Sequence, residues 1–269
     1  MDIKLDSVSY GCLKKISINP KEGLINGILG GNGSGKSVLA NLLGMIDKPI
    51  DGHLEINGMI IDHDNPMINY NSIKFNIGYV VQDTSHFIVG KTVKDQIMFT
   101  LNQYHYQNKE KKVLDSLKMV DLDDSFLNRK INTLSEGELF KISLANTLVL
   151  NPKILILDDP TTFLDYNSKQ YLIKLLRMLK NRYHKTIIIM SSNSDFILEL
   201  CDYIYVLHNY KIAIEGTKYE VFAKKIDKYG VSKPQIIAFE DMVKNKKNIK
   251  MGYRDNINDL IKDIYFYKN

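Results

Sequence analysis

The feature that most constrains this chain is a glycine-rich stretch at residues 30–37, which reads Gly-Gly-Asn-Gly-Ser-Gly-Lys-Ser. A short apolar run, Gly27-Ile28-Leu29, precedes it, and Val38, Leu39, Leu42, Leu43 and Ile46 follow at helical spacing. Glycines let successive backbone N–H groups turn toward a phosphate, the following helix adds the positive end of its dipole, and the lysine adds a point charge. The pattern therefore predicts a phosphate-binding loop between a strand and a helix.

Composition excludes several classes without selecting a partner. The 269 residues carry a net charge of +5 spread along the chain, without the clustered basic footprint of a nucleic-acid-binding protein. Cys12 and Cys201 lie far apart, which predicts neither a disulfide framework nor a zinc site. The Met1 start shows no signal-peptide pattern, and the longest apolar runs are far below spanning length, so we expect a chain that does not itself cross a membrane. The six histidines, none at metal-ligand spacing, are expected to be structural or solvated: His53, His63, His86, His105, His184 and His208.

The order of apolar patterns predicts an α/β fold. Strand-and-turn signals fill the first 26 residues, helical periodicity dominates about 93–150, and short apolar runs follow at 154–157, 187–190 and 203–207. Such runs are typical of strands buried on both faces of a parallel sheet. After about Val221 a Lys-rich amphipathic tail begins, which predicts a small domain at 221–269 appended to a main domain at 1–220. The lysines at 244, 246, 247 and 250 are expected to form a solvated face, with a contact to a membrane surface or a partner as the alternative.

Asp158 and Asp159 end the apolar run at 154–157. Ligands of parallel sheets sit at the carboxyl ends of strands, so Asp158 is a candidate for holding Mg²⁺ beside the Ser37 hydroxyl. The alternative is a structural cap at a strand-to-turn junction.

A second polar motif, Leu134-Ser135-Glu136-Gly137-Glu138, stands before an apolar-periodic helix. Ser135 and Glu138 also satisfy the pattern of a capping box, which alone would explain both. The order of motifs favours a further role: phosphate loop, Gln82 after a strand, this segment, the Asp158–Asp159 pair, then Phe163-Leu164-Asp165. In that order the chain resembles the ABC ATPases, whose signature segment faces the γ-phosphate held by a partner subunit and whose D-loop corresponds to Asp165.

Residues 81–93 and the segment 215–222 are similar to a subfamily, the ATPases of energy-coupling factor transporters, which import vitamins or metal ions. The resemblance implies a P-loop NTPase of ABC type, with a mixed sheet, an N-terminal antiparallel β subdomain, a helical insertion at about 93–150 and a C-terminal domain that could dimerise. It also implies a second ATPase subunit, a transmembrane coupling protein met by residues 83–90, a substrate-binding membrane protein, and a peripheral location on the cytoplasmic face of the cell membrane.

The same resemblance assigns ATP and Mg²⁺ to particular residues. Asp159, Gln82 and Ser192 take the catalytic positions, and Ser37, Gln82 and Asp158 the metal positions. Tyr10 takes the place of an aromatic residue that stacks on adenine, with ordinary packing at a strand end as its alternative. The candidate nucleotide-binding residues are Tyr10, Gly31, Asn32, Gly33, Ser34, Gly35, Lys36, Ser37 and Val38, and those offered to the partner's site are Ser135, Glu136, Gly137 and Glu138.

Several residues depart from the family pattern. Asp159 replaces the usual glutamate and reaches about 1.5 Å less far, and Ser192 stands where the family has a histidine. Val38 replaces a threonine, and two glutamates, Glu136 and Glu138, enter the signature. These departures raise the alternative of a partly degenerate subunit that binds ATP while a paralogous partner does most of the hydrolysis, and they favour a paralogue over an identical copy.

A third class, the soluble ABC ATPases of DNA repair or ribosome binding, normally carries a long coiled-coil insertion or two tandem cassettes. The sequence shows neither, so no nucleic-acid partner is expected.

Overall fold

The computed structural model describes residues 1–63, 73–83, 88–104 and 106–247, together with Ile261, Lys262 and Tyr265; of residues 244–247 it describes the backbone. The strands are β1 Ile3–Tyr10, β2 Leu13–Ile18, β3 Ile25–Leu29, β4 Asp51–Ile56, β5 Met59–Ile61, β6 Ile77–Val80, β7 Ile154–Asp158, β8 Thr186–Ser191, β9 Tyr203–His208 and β10 Lys211–Thr217. The helices are α1 Lys36–Leu43, α2 Val93–Gln103, α3 Lys109–Met119, α4 Glu136–Leu148, α5 Tyr166–Tyr183, α6 Ser194–Leu200, α7 Lys218–Phe222 and α8 Gln235–Lys247. Short 3₁₀ helices lie at Asp124–Phe126, Ile131–Thr133 and Ile226–Tyr229.

Four strands form an antiparallel sheet in the order β2-β1-β4-β5. The predicted N-terminal β region is confirmed, but half of this sheet comes from residues 51–61, which the sequence pattern had not assigned. Asn57 and Gly58, both at positive φ, close the β4–β5 hairpin as a two-residue turn of this kind requires.

The second sheet has six strands in the order β10-β9-β3-β8-β7-β6. The five strands from β9 to β6 run parallel, and β10 pairs antiparallel with β9 at the edge. Strands β3, β7 and β8 are buried along their whole length, which confirms the interpretation of their apolar runs. Because the parallel strands end at one edge, the residues after β3, β6, β7 and β8 are brought together there.

Alternate residues of the central strands enter two hydrophobic clusters on opposite faces of this sheet. Leu155 and Leu157 join the larger cluster, which includes α4, α5 and α6, whereas Ile154 and Ile156 join the smaller one, which includes α1 and the antiparallel sheet. Asp158 continues the second face and is therefore directed toward α1.

The helical insertion predicted at about 93–150 is confirmed by α2, α3 and α4. Helix α2 begins with a capping box in which Thr92 and Asp95 bond each other's backbone N–H groups. Helix α4 packs against β6, so the insertion is joined directly to the larger sheet.

After β10 the chain forms α7, the 3₁₀ helix at Ile226–Tyr229 and α8. Val221, Phe222, Ile226, Val231 and Ile237 are buried in the larger hydrophobic cluster. The division at residue 221 stays a prediction, because most of residues 248–269 lie outside the described part. Every helix in the part of the chain that the structure describes is too short or too polar to cross a bilayer.

Candidate nucleotide site

The phosphate loop connects β3 to α1, as predicted. Gly33 and Gly35 adopt φ of +74° and +102°, a region that favours glycine. A Cβ on Gly30 would lie 2.5 Å from the Ser34 hydroxyl and 2.7 Å from the Leu207 carbonyl oxygen. The loop's glycines are thus required by both backbone conformation and close packing.

Lys36 lies under this loop with 6% of its side chain exposed. Its ammonium donates to the carbonyl oxygens of Gly30 at 3.1 Å and Gly31 at 3.2 Å, and it lies 3.8 Å from Asp159 Oδ2. Burial strengthens the field of a charge because little water screens it. The positive charge is therefore concentrated at the loop, where an anionic group would be attracted.

Asp158 ends β7 with 3% of its surface exposed. Burial raises the pKa of its carboxyl group, an effect opposed by a hydrogen bond from Ser37. Its Oδ1 atom is buried and has no hydrogen-bond partner among the described residues. Oxygen ligands of this kind suit Mg²⁺, which is held by one or two protein groups together with phosphates and waters. The pair of Ser37 and Asp158 therefore fits this ion.

No group of three His, Cys, Asp or Glu side chains within the described ranges could hold a metal by itself. A site made of Ser37, Asp158 and a phosphate is consistent with that finding.

Asp159 bridges the ends of β7 and β8. Its backbone, at φ +43°, donates from N–H to the Met190 carbonyl at 3.0 Å. Its Oδ1 accepts from the Ser192 N–H at 3.2 Å, and its Oδ2 faces the Lys36 ammonium. Sheet pairing therefore brings together Lys36, Asp159 and Ser192, three of the predicted site residues.

Gln82 lies two residues beyond β6 and is exposed at the same edge. Residues 84–87, part of the surface predicted to meet a coupling protein, lie outside the described residues. The neighbouring segment is fixed by Gln96, whose Oε1 accepts from the N–H groups of Val89 at 2.8 Å and Gly90 at 3.0 Å. Val89 itself is 63% exposed.

Tyr10 ends β1 and is half-buried. Burial, followed by the nearby Asp47 carboxylate, raises the pKa of its hydroxyl group. Val38 lies against the β1–β2 turn, since its Cγ1 is 3.5 Å from where a Cβ on Gly11 would be. Neither finding tests a contact with a base or a phosphate, so both assignments stay predictions.

The signature segment is a capping box at the start of α4. The Ser135 hydroxyl accepts from the Glu138 N–H at 3.2 Å, and Glu138 Oε2 accepts from the Ser135 N–H at 2.8 Å. Arg129 donates to Glu138 Oε1 at 2.7 Å and lowers the pKa of that carboxyl group. The predicted capping box is therefore present, and the Glu138 carboxylate is paired with the Arg129 guanidinium. Glu136 is exposed in the first turn of α4.

Asp165 caps α5 by accepting from the Ser168 N–H at 2.7 Å. A Cβ on Gly137 would lie 3.0 Å from the Phe163 carbonyl oxygen. The signature and the D-loop therefore touch each other within one chain. Asn32 is exposed on the phosphate loop.

Sequence reasoning missed three neighbours of the phosphate loop. The Tyr210 ring approaches within 3.5 Å of a Cβ placed on Gly35, and the Gly230 carbonyl oxygen within 2.9 Å of one placed on Gly31. The Leu207 carbonyl lies against Gly30. Asn209-Tyr210 between two apolar runs is a turn signal that could have placed Tyr210 at a hairpin tip, but nothing in the sequence indicates the contact of Gly230.

Comparison with known proteins assigns the fold. The family profile described as ABC transporter matches residues 13–162. The energy-coupling factor transporter ATP-binding protein EcfA1 of Staphylococcus aureus is 32% identical over 235 residues, covering 86% of this chain and 85% of its own length. EcfA2 of Caldanaerobacter subterraneus is 31% identical over 250 residues, covering 88% and 87% respectively.

Two solved structures share the fold. The ATP-binding cassette MJ0796, dimeric in a post-hydrolysis state with ADP and Pi, aligns at a TM-score of 0.73 with 28% identity over 80% of this chain and 98% of its own. The cbiO1 protein of Clostridium perfringens, part of the ABC transporter complex cbiONQ, aligns at 0.72 with 28% identity over 89% and 98%. This chain therefore belongs to the ABC transporter family, among the ATP-binding proteins of energy-coupling factor transporters.

Proposed function

We propose that the chain is the ATP-hydrolysing subunit of an energy-coupling factor importer for vitamins or metal ions. Two such subunits would close on ATP, each nucleotide lying between the phosphate loop of one and Ser135 of the other. The closure would move a transmembrane coupling protein attached to a substrate-binding membrane protein, with this chain peripheral on the cytoplasmic face of the membrane. The observation that carries the proposal is the convergence of Lys36, Asp158, Asp159 and Ser192 at one sheet edge.

The residues would divide the work as follows. Lys36 and the backbone N–H groups of the loop would bind the β- and γ-phosphates. Ser37, Asp158 and Gln82 would hold Mg²⁺, which would neutralise charge on the phosphates. Asp159 accepts a proton from, or orients, the attacking water. Ser192 follows β8 beside Asp159 and supplies a hydrogen bond toward the γ-phosphate.

Of the two glutamates in the signature segment, Glu138 is compatible with a role on the partner's nucleotide. Because Arg129 pairs with Glu138, that carboxylate does not present an uncompensated charge to a triphosphate. Ser135 stands at the N-terminus of α4, where backbone N–H groups and the helix dipole favour an anion.

The degenerate alternative rests on the contacts of Asp159. Its carboxylate is held by the Ser192 N–H and faces Lys36, and its side chain is one bond shorter than glutamate. In the assembled complex, Asp159→Glu and Ser192→His together are expected to raise ATP turnover about tenfold or more if the short side chains limit it. Unchanged turnover in that variant would contradict the alternative.

The contact with the coupling protein is assigned to residues 83–90, of which the segment at 88–90 follows the undescribed residues 84–87. That segment is pinned to the start of α2 by Gln96 and exposes Val89 beside a shallow groove lined by Ile88, Ile131, Leu139 and Ile142. A backbone held by two hydrogen bonds and presenting an exposed apolar residue suits contact with a partner protein.

Purification from membranes in mild detergent tests the function. We expect a transmembrane protein and a second ATPase to copurify with the chain, and a soluble homodimer alone would contradict the proposal. Val89→Asp is expected to lose the membrane protein and keep the second ATPase. Ile60→Asp is the matched control, because Ile60 is 50% exposed on the edge strand β5 of the other sheet.

A further inference from the structure

A segment near the C-terminus of the chain packs against the phosphate loop at Gly31. The carbonyl oxygen of Gly230 lies 2.9 Å from where a Cβ on Gly31 would be, so any side chain at position 31 would collide with residue 230. Gly230 ends the 3₁₀ helix at Ile226–Tyr229 in a left-handed conformation with φ +71°, and its N–H donates to the Asp227 carbonyl at 3.0 Å. We call residues 226–235 the strut.

The strut is held firmly against the body of the protein. Ile226 and Val231 are buried in the larger hydrophobic cluster on either side of Gly230. The Tyr229 ring meets the edge of the His208 ring at a centroid distance of 5.7 Å. His208 follows Leu207, whose carbonyl oxygen packs against Gly30. The contacts of Gly30 and Gly31 are therefore made by neighbouring parts of the structure, because Tyr229 packs on His208 and precedes Gly230. A shift of the strut would therefore be transmitted to the loop.

The other end of the strut is tied to the segment that carries Ser192. The N–H of Gln235, the first residue of α8, donates to Asp195 Oδ1 at 2.7 Å. Asp195 lies in the first turn of α6, three residues after Ser192. The turn between them is stiffened by hydrogen bonds from Asn193 N–H to the Ser191 hydroxyl and from Phe196 N–H to Asn193 Oδ1.

These contacts form a closed ring that includes residues of the candidate nucleotide site. The ring runs from Gly31 through Gly230 and Gln235 to Asp195 and Ser192. It returns through Asp159, which accepts from the Ser192 N–H, and through Lys36, which bonds the Gly31 carbonyl. Within this ring, the strut at residues 226–235 includes no residue to which a contact with phosphate, Mg²⁺ or the attacking water has been assigned.

We propose that the strut sets the position of the phosphate loop relative to Ser192, with Gly230 and Asp195 as positioning residues for ATP binding and hydrolysis. The C-terminal region would then act on the nucleotide site through its backbone rather than only through contacts between subunits. The inference rests on the proposed function for its hydrolysis measurement, but its binding measurement is independent of turnover.

Gly230→Ala tests the loop end of the strut, and the chain offers a matched control in Gly58→Ala. Both glycines are left-handed, at φ +71° and +75°, and a Cβ on either meets no described atom within 4 Å. The two variants should therefore lower the melting temperature alike. We expect only Gly230→Ala to raise the Kd for a fluorescent ATP analogue, by about fivefold or more. Equal Kd values in the two variants would overturn the proposal.

Asp195→Ala and Asp195→Asn test the other end. Loss of the acceptor in Asp195→Ala should lower kcat in the assembled complex at least about fivefold, with a smaller change in KM. Asp195→Asn keeps an oxygen that can accept from Gln235 N–H and should restore most of the rate. An Asn variant as slow as the Ala variant, or an Ala variant as fast as the unmodified protein, would overturn the assignment of Asp195.

The two ends can be shown to act together. If the strut joins them, Asp195→Ala should also raise the Kd for the ATP analogue, and the Kd of the double variant Gly230→Ala, Asp195→Ala should rise by less than the product of the two single increases, because either change already frees the strut. An unchanged Kd in Asp195→Ala would overturn the connection. Independent, multiplying effects would overturn the connection. If the complex hydrolyses no ATP at all, the proposed function fails while the Kd measurements still decide the role of the strut.

Discussion

The two halves of the nucleotide machinery are built differently. The phosphate half, comprising Lys36, Asp158, Asp159 and Ser192, joins residues far apart in sequence at the carboxyl edge of the parallel strands. The signature half, comprising Ser135, Gly137 and Glu138 with Arg129, is stabilised by hydrogen bonds within residues 129–138, and its residues are half-buried apart from the exposed Ser135. One half depends on the whole fold, and the other depends on a local cap.

Their charges are also handled in opposite ways. Burial raises the pKa of Asp158, whereas Arg129 and the Ser135 backbone lower the pKa of Glu138. A carboxyl group whose charge is disfavoured in the folded chain suits a residue that gains a cation from outside. A carboxylate already paired with an arginine adds no net charge to a surface that a triphosphate approaches. Under the proposed function, the difference separates a residue that binds Mg²⁺ from one that shapes the surface facing the partner's nucleotide.

The strongest test of the phosphate half is Lys36→Met. Because the ammonium is buried at the loop, its loss is expected to raise the Kd for ATP about a hundredfold, measured with a fluorescent analogue on the isolated chain. Lys4→Met is the control, since Lys4 pairs with Glu55 on the antiparallel sheet. If Lys36→Met and the control have equal Kd values for ATP, Lys36 does not contribute to ATP binding and the phosphate half is not the nucleotide site.

Gly137→Ala tests the signature half. Its Cβ would lie 3.0 Å from the Phe163 carbonyl oxygen, so the signature and the D-loop must move apart. We expect turnover in the paired subunits to fall about tenfold, while the Kd of the isolated chain for ATP stays unchanged. Weaker ATP binding by the isolated chain would show that the two halves are not separable in this way.

Glu138→Gln measures the local cap. With a lowered pKa, Glu138 contributes stability that is present above its unfolded-state pKa and is lost as pH falls through its folded-state pKa. The side chain is 28% exposed, and we expect a loss of about 1 kcal/mol in the free energy of unfolding at pH 7. Denaturant titrations at pH 7 and at acidic pH should show the difference between variant and parent shrinking with acid. A difference independent of pH would exclude charge pairing as its cause.

Asp158→Asn is expected to have the smallest effect, and it should raise the free energy of unfolding where Glu138→Gln lowers it. Because the pKa of Asp158 is raised, the folded chain binds protons more readily than the unfolded chain, and stability falls as pH rises above the ordinary Asp pKa. In the absence of nucleotide and Mg²⁺, the free energy of unfolding of the variant at neutral pH should be about 0.5 kcal/mol higher than that of the parent. In a separate ATP-binding measurement, Mg²⁺ should increase the affinity of the parent but not that of the variant. Lower stability of the variant at neutral pH would contradict the expectation that burial raises the pKa of Asp158 by more than the Ser37 hydrogen bond lowers it.

The parts predicted well from sequence are those whose signal is local or whose burial is complete. Residues 30–37 specify their loop through the glycines, and 154–157 specify a central strand because both of its faces are apolar. Strand β10 was not assigned, because Ile212 and Ile214 are its only large apolar residues and both are just half-buried. The strands at 51–61 were missed in the same way, because they lie in a sheet with exposed surface.

The sequence by itself determined the family, the phosphate loop, the acidic pair after β7 and the cap at Ser135, because each depends on residue types at short, fixed spacing. Only the tertiary structure decided that Asp159 is held between Lys36 and Ser192, that Arg129 pairs with Glu138, and that Gly230 supports Gly31. Those contacts join residues that come close only after sheet pairing and core packing have fixed the backbone. A backbone carbonyl such as that of Gly230 also carries no side-chain pattern that a sequence could display.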